Sequence, residues 1–477
     1  VQSYFLVETR NSGSPRQLVK NVNIAIVGTG HVGLVVGLCF AEIGHQVVCV
    51  DNDPAKIESL TAGRCPFFEP HLAELLQRAL AAKTVVFTAS LAEAVEQAEV
   101  VFLCLGTPPL PDGDADLSSV ERVTRQIATM TGSYRLIVEK STVPVLTGER
   151  IEKTMGIYRR ERGGNFDVAS NPEFLAEGSA VMDFLCPDRI VIGVESARAR
   201  QLLEEIYAPI VRQDFPWRLN AVRRSSAGSV AMVVTNRNSA ELIKHASNCF
   251  LAMKISYINA VANLCDEVGA DVDRVAEGMG LDHRIGPHFL RAGIGFGGFC
   301  FPKDLQAFIR IAENRGCDFR LLREVERVNL SRLETFLQKL KGEVWVLKDK
   351  TIAAWGLSFK ANTDDMRFSP ALDVISRLAV EEKARVRVYD PEASGEARRE
   401  RPDLERDHGM QYCDSALEAA RGADALLILT DWPEFRAVDL DQLRQTMTRA
   451  FILDGRNMLD PETVRAAGFE YLSMGRP

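Results

Sequence analysis

Two rounds of β-α-β alternation, one before residue 220 and one after Lys350, flank a long helical stretch without Gly or Pro. They predict an α/β protein of two Rossmann-like, doubly wound domains joined by a long central helix. Length agrees, because a chain of 477 residues exceeds what one core normally serves and calls for two or three domains. The expected division is a flexible N-terminal extension at 1–20, a first α/β domain at 21–220, a helical linker at 221–335 and a second α/β domain at 336–477.

Short apolar runs place the strands of the first domain at Asn23–Val27, Gln46–Val50, Thr84–Thr88, Val100–Leu105 and Leu136–Glu139. Amphipathic patterns place helices between them at Val32–Ile43, Pro70–Ala82 and Leu91–Gln97. The stretch from Ser239 to Val268 reads as one helix, long enough to bridge two domains or two subunits. After Lys350 the alternation resumes with TIAAWGL, VRVYD and ALLILT, and the second half can be laid on the first. Ser90–Pro108 matches Ser415–Pro433 in helix, turn, strand and final proline, and VVCVD ending at Asp51 matches VRVYD ending at Asp390.

Hydrophobic residues at 46% and charged residues at 26% are the balance of a soluble globular protein, and the net charge of −8 argues against nucleic acid or an anionic membrane as partner. Residues 22–41 carry no Lys, Arg, Asp or Glu, yet glycines at 28, 30, 33 and 37 and His31 favour a strand and helix over a membrane span. The 10 cysteines include no C-x-x-C pair, so neither a zinc site nor a disulfide framework is expected. Free thiols suit a reducing cytoplasm, the expected location.

The segment IAIVGTGHVG places G-x-G-x-x-G after a strand and at the start of a helix. Gly28 permits the turn, Gly30 admits a pyrophosphate, Gly33 allows close packing, and His31 and Val32 complete the loop. Asp51, at the end of the second strand, suits the ribose hydroxyls and repels a 2′-phosphate, so NAD is favoured over NADP, with Lys56 tempering that preference. The second domain has no glycine triplet, and Lys360 and Arg367 offer it cations for phosphate.

The most unusual segment is GIGFGGFCFPKD, Gly293 to Asp304. Its glycines leave backbone N–H groups for a ligand, and Cys300 beside Lys303 and Asp304 reads as an activated nucleophile rather than a buried apolar thiol. With GTGHVG, FFEPHLAELL, LGTPP, EKSTVP, NPEFLAEG, SAELIKHASNCFLA, HRIGPHF, GLSFKANTDDMR and DGRN, the chain resembles the UDP-glucose/GDP-mannose dehydrogenase family from about Val22 to Arg476.

The resemblance implies oxidation of a nucleotide sugar's primary alcohol to a carboxylate with two NAD, through a thiohemiacetal and a thioester on Cys300. UDP-glucose is the expected substrate; UDP-N-acetylmannosamine or GDP-mannose is the alternative. A non-catalytic sugar sensor would need none of the thiol chemistry. Lys244 and Asn248, at i and i+4, match the oxyanion stabilisers. Asp304 and Thr142 match the pair that positions water, and Glu173 the base for hydrolysis. Implied substrate contacts are Glu173, Phe174, Leu175, Ala176 and Glu177, then Lys244, Asn248, Arg284, Arg291, Gly293, Gly295, Phe296, Gly297, Phe359, Lys360 and Arg456. Further NAD contacts are Gly106, Thr107, Pro108, Ser141, Thr142, Glu177, Lys303 and Arg367. A homodimer built on the central helix is implied. Leu146 stands where the family has Gly, and Phe299 where it has Ser or Tyr.

Overall fold

The computed structural model describes residues 21–477 apart from 112, 131–132, 160–164 and 222–228. The expected extension at 1–20 lies outside the described residues. The chain divides into two compact units, Val1–His245 and Ala246–Pro477.

The first unit is built on eight strands: β1 (Asn23–Val27), β2 (Gln46–Val50), β3 (Val85–Thr88), β4 (Val100–Leu103), β5 (Arg135–Glu139), β6 (Phe166–Ser170), β7 (Arg189–Gly193) and β8 (Ala231–Thr235). They lie side by side in the order β3-β2-β1-β4-β5-β6-β7-β8. Pairing is parallel except where β6 meets β7 antiparallel at Ser170 and Gly193. Strand β4 (VVFL), near the middle of the sheet, is apolar throughout and buried on both faces, because helices cover the sheet on either side. Those helices are α1 (His31–Glu42), α2 (Pro54–Thr61), α3 (Leu72–Ala82), α4 (Leu91–Gln97), α5 (Ser118–Met130), α6 (Thr147–Arg159), α7 (Ala180–Leu185) and α8 (Ala197–Arg212). All five strands expected from the sequence are present, with ends shifted by a residue or two; β6, β7 and β8 extend the sheet beyond them.

Helix α9 (Arg237–Val268) begins in the first unit and continues into the second, 32 residues without Gly or Pro. At 1.5 Å per residue that is about 48 Å of helix. In the second unit α10 (Val272–Gly280), α11 (Cys300–Glu313) and α12 (Arg320–Glu343) follow, and Cys249, Ala252, Leu305, Ile309, Leu322 and Val325 form the core between α9, α11 and α12. The second sheet comprises β9 (Thr351–Trp355), β10 (Arg385–Tyr389), β11 (Gln411–Tyr412), β12 (Ala425–Ile428), β13 (Phe451–Asp454) and β14 (Glu470–Ser473). All its pairings are parallel, in the order β11-β10-β9-β12-β13-β14. Both sheets thus run outward from their first strand in two directions, which makes a switch point at the carboxyl ends of β1 and β4, and of β9 and β12. Residues 22–41 form β1 and α1, and no helix among the described residues is long and apolar enough to cross a membrane.

Candidate functional site

The glycine loop of the first unit has the form its spacing demands. Gly28 has φ +101°, and its N–H donates to Val50 O at 2.8 Å. A Cβ at Gly33 would collide with Gly28 O, so that glycine serves helix–strand packing. A Cβ at Gly30 would meet nothing within 4 Å. The fold itself therefore makes no steric demand for glycine there. His31 stacks on Phe67 with centroids 4.0 Å apart, which brings the FFEP segment beside that helix N-terminus.

Asp51 is more occupied than the sequence suggests. Its Oδ2 accepts from Thr29 N (2.9 Å), Thr29 Oγ1 (2.7 Å) and Lys56 Nζ (3.0 Å), and its Oδ1 from Asp53 N (3.1 Å). Burial pushes its pKa up, but the hydrogen bonds from Thr29 and Lys56 outweigh burial and hold the carboxyl below the usual range. Lys56 keeps 28% of its side chain exposed, against 8% for Asp51.

At the ends of β4 and β5 the segments around 105 and 141 are bonded together. Leu105 N donates to Ser141 Oγ (2.9 Å) and Thr107 Oγ1 to Thr142 O (2.9 Å), while Pro108 O accepts from Asp116 N (2.9 Å). A Cβ at Gly106 would find open space. Beyond β6, Glu173 and Lys244 form a buried ion pair at 2.9 Å, and the second Glu173 oxygen accepts from Leu175 N at 2.6 Å. Two cations approach the Phe174 ring, the Arg189 guanidinium at 3.6 Å and Lys244 Nζ at 5.5 Å from its centroid. Ala176 N donates to Asp183 Oδ2, and Glu177 follows at the start of the turn into α7.

Behind this loop lies a group of residues that the sequence reading passed over. The Lys140 ammonium, 4% exposed, donates to Asn171 Oδ1 (3.0 Å) and Tyr207 OH (3.1 Å), and burial pushes its pKa down to about 8. With Glu173 these residues line a cavity of about 70 Å³. The signal was EKSTVP itself, where charged residues end a fully buried strand.

In the second unit Cys300 is the first residue of α11, directly after Phe299 at the N-cap. One turn on, Asp304 accepts from Lys303 Nζ (2.8 Å) and Asn248 Nδ2 (2.6 Å), and all three are buried. Lys303 Nζ is also 5.8 Å from the Phe299 ring, over which Arg367 lies at 4.5 Å.

Several expectations about the glycine loop and its cations need correction. The Gly293 N–H is not open, since it donates to Asn259 Oδ1 at 2.9 Å, and Phe296 N donates to Asn329 Oδ1 at 2.8 Å. Gly297 is required by packing, because a Cβ there would strike Phe368 O; Gly295 has φ +102° and packs on Asn329. Arg456 spends its guanidinium on three carbonyls, Leu429 O (2.6 Å), Gly295 O (3.0 Å) and Phe359 O (2.9 Å), and so braces the loop from within. Arg284 pairs with Asp282, Arg291 with Asp431 and Arg367 with Asp365. Two of these carboxylates lie two residues before their arginine, whereas that of Arg291 lies 140 residues away. Lys360 lies 5.5 Å from the ring of Phe359.

Family models match this chain in three consecutive pieces of the UDP-glucose/GDP-mannose dehydrogenase family: the NAD binding domain over 22–211, the central domain over 238–331 and the UDP binding domain over 353–461. The chain belongs to that family. Its first domain is an NAD-binding domain and NAD is its cofactor. A UDP-glucose 6-dehydrogenase of Rhizobium meliloti is 44% identical over 460 residues, 96% of this chain and 100% of the relative. One from Bacillus subtilis is 42% identical over 455 residues, 95% and 93% of the two chains. Among solved structures, a UDP-glucose dehydrogenase from Pyrobaculum islandicum has a TM-score of 0.85 at 37% identity, covering 98% of this chain and 100% of its own. A UDP-D-ManNAc dehydrogenase from Pyrococcus horikoshii gives 0.79 at 28%, with 95% and 99% covered.

Proposed function

We propose that the chain is an NAD-dependent UDP-glucose 6-dehydrogenase that oxidises UDP-glucose to UDP-glucuronate in two successive two-electron steps. The observation that carries this reading is the similarity, at 42% and 44% identity over nearly the whole chain, to enzymes of that name. The thiol at the head of α11 and the Glu173–Lys244 pair supply the groups such a reaction needs.

Gly28, Gly30 and the N-terminus of α1 would hold the pyrophosphate of NAD, Asp51 its ribose, and residues 105–108 and 141–142 its nicotinamide end. NAD, when bound, supplies the oxidising power, taking a hydride in each step. Lys244 and Asn248 stabilise negative charge on the sugar oxygen. The Cys300 thiolate adds to the C6 aldehyde to give a thiohemiacetal, which is oxidised to a thioester. Asp304 and Thr142 orient a water; Glu173 takes its proton as the C–S bond breaks, and Cys300 leaves as thiolate. The working domains are 21–220, 221–335 and 336–477, and the protein acts as a cytoplasmic homodimer. On α9, Phe250, Tyr257 and Leu264 are 56%, 55% and 61% exposed at seven-residue spacing, an apolar stripe that a second copy of the helix would cover.

The likeness to the UDP-D-ManNAc dehydrogenase favours a second reading, in which another nucleotide sugar is oxidised. Purified protein with NAD and a panel of nucleotide sugars, followed by NADH absorbance, separates the two. Turnover is expected with UDP-glucose; turnover only with UDP-N-acetylmannosamine or GDP-mannose selects the alternative, and none with any sugar removes both. The Cys300→Ser variant is expected to retain NAD and UDP-glucose binding and form no UDP-glucuronate, measured by product chromatography.

A further inference from the structure

The loop from Ser141 to Gly148 joins β5 to α6, and its first two residues are bonded to the 105–108 segment. Its other end is gripped by α9. Glu241 Oε2 accepts from Leu146 N at 2.7 Å, and Oε1 accepts from Gly148 N at 2.8 Å and Ser170 Oγ at 2.9 Å. One turn further on, His245 Nε2 lies 2.8 Å from Val143 O. Glu241 is 3% exposed and His245 1%. Glu241, Lys244, His245 and Asn248 follow the i, i+3, i+4, i+7 pattern of one helix face.

Capping α6 alone does not account for this arrangement. A local Ser or Asp side chain would cap the helix equally well. Here a carboxylate from 93 residues away is buried instead, against a desolvation cost that raises its pKa. The loop it holds also keeps Leu146 at φ +80°, a conformation a leucine does not adopt unaided.

We infer that Glu241 is a positioning residue for the cofactor: it ties the 141–148 loop to the helix that carries Lys244, and so fixes the nicotinamide-side backbone relative to the substrate lysine. The inference rests on the reading that residues 105–108 and 141–142 contact NAD and that Lys244 contacts the sugar.

The test compares full-length Glu241→Ala and Glu241→Gln with Ile151→Val, which loosens the buried face of α6 without touching the loop. NAD affinity is read by calorimetry, KM and kcat by NADH formation, and stability by thermal melting. Glu241→Ala is expected to weaken NAD binding about tenfold and to raise the KM for NAD by more than that for UDP-glucose. Glu241→Gln, which keeps one acceptor, is expected to recover part of that loss, while Ile151→Val lowers the Tm and leaves NAD affinity unchanged. NAD affinity within twofold of wild type in both Glu241 variants, with only the Tm reduced, overturns the inference and leaves Glu241 as a helix cap. If Glu241→Ala does not fold, Glu241→Gln and His245→Gln carry the same comparison. Absence of turnover in the wild type would refute the proposed reaction, whereas the calorimetric comparison would still decide the role of Glu241.

Discussion

The two sheets begin with the same turn and put it to different uses. In the first unit Gly28 has φ +101° and donates to Val50 O at 2.8 Å; in the second Gly356 has φ +102° and donates to Tyr389 O at 2.8 Å. Each is followed by backbone that donates to the carboxylate ending the next strand, Thr29 N to Asp51 and Leu357 N to Asp390. The likeness stops there. After Gly28 the chain enters α1 within three residues, and the Gly30 N-cap offers the helix no side-chain cap. After Gly356 it runs as a loop to a helix at Pro370–Ser376. Asp390 Oδ2 is sealed by Trp432 Nε1 at 3.1 Å, where Asp51 has the movable Lys56. The two turns therefore differ in the helix that follows and in the partners that enclose the carboxylate; strand order and the acid alone do not set either.

The comparison is broken most severely at the two acids. Asp390→Ala leaves Leu357 N, Ser358 N, Glu392 N, Ala393 N and Trp432 Nε1 without their acceptor. Its cost is expected at about 3–5 kcal/mol. Asp51→Ala should cost less than half as much, because Lys56 can turn to water, but should weaken NAD binding by roughly tenfold or more. Denaturant unfolding and NAD titration of both variants decide it, and equal stability losses would contradict the assigned difference.

The glycines give the next effect. Gly356→Ala drives a Cβ into Thr430 at a positive φ, for an expected loss of about 2–3 kcal/mol. Gly30→Ala meets nothing in the protein and should leave the melting temperature almost unchanged while weakening NAD binding at least about tenfold. A large stability loss in Gly30→Ala would mean that this glycine serves the fold.

The fifth strands differ in the same sense. Asp454, ending β13, accepts from Arg456 N, Met458 N, Leu459 N and Tyr471 OH. Glu139, ending β5, accepts from Ser141 N at 2.8 Å through one oxygen, while its buried Oε2 has no hydrogen-bond partner among the described residues. Burial pushes Glu139 up to about 8. The folded protein then keeps a proton that the unfolded chain has lost, so this group costs stability as pH rises from the ordinary Glu range toward 8. Glu139→Gln removes the titration and retains an acceptor for Ser141 N. Its melting temperature, relative to wild type, is expected to be higher at pH 8 than at pH 5; a difference independent of pH would show that Glu139 does not titrate in that range.

The first sheet was legible because its glycines and its second-strand acid fall at fixed spacings, and the second because Ser415–Pro433 repeats Ser90–Pro108. Strands β6 to β8 were not. The switch to antiparallel pairing at Ser170 and Gly193 is a tertiary choice that no local pattern encodes. In the site, Cys300, Asp304, Lys244, Glu173 and Asn248 could be named from motifs, and the structure joins Glu173 to Lys244 and Asp304 to Asn248. Glu241 and His245 could not, because a charged residue on a helix reads as solvated until the loop it holds is seen. Arg456 shows the converse: a cation near a glycine loop suggests phosphate, and only the fold shows that it also braces that loop through three carbonyls.

The smallest effect lies in the loops after those fifth strands. Both contain a non-glycine residue at positive φ, Leu146 at +80° and Asn457 at +49°. Asn457 suits the position, and its amide bonds Met474 in both directions, at 2.8 Å and 2.9 Å. Leu146 has no such aptitude; its N–H is held by Glu241. Leu146→Gly should therefore stabilise the protein by about 1 kcal/mol, the relief of left-handed strain exceeding the added freedom of the unfolded chain. Asn457→Gly should destabilise it by a similar amount, because two side-chain hydrogen bonds are lost for little strain relieved. Chemical denaturation of both variants gives the signs, and a loss of stability in Leu146→Gly would show that the leucine side chain contributes more through packing than its backbone costs.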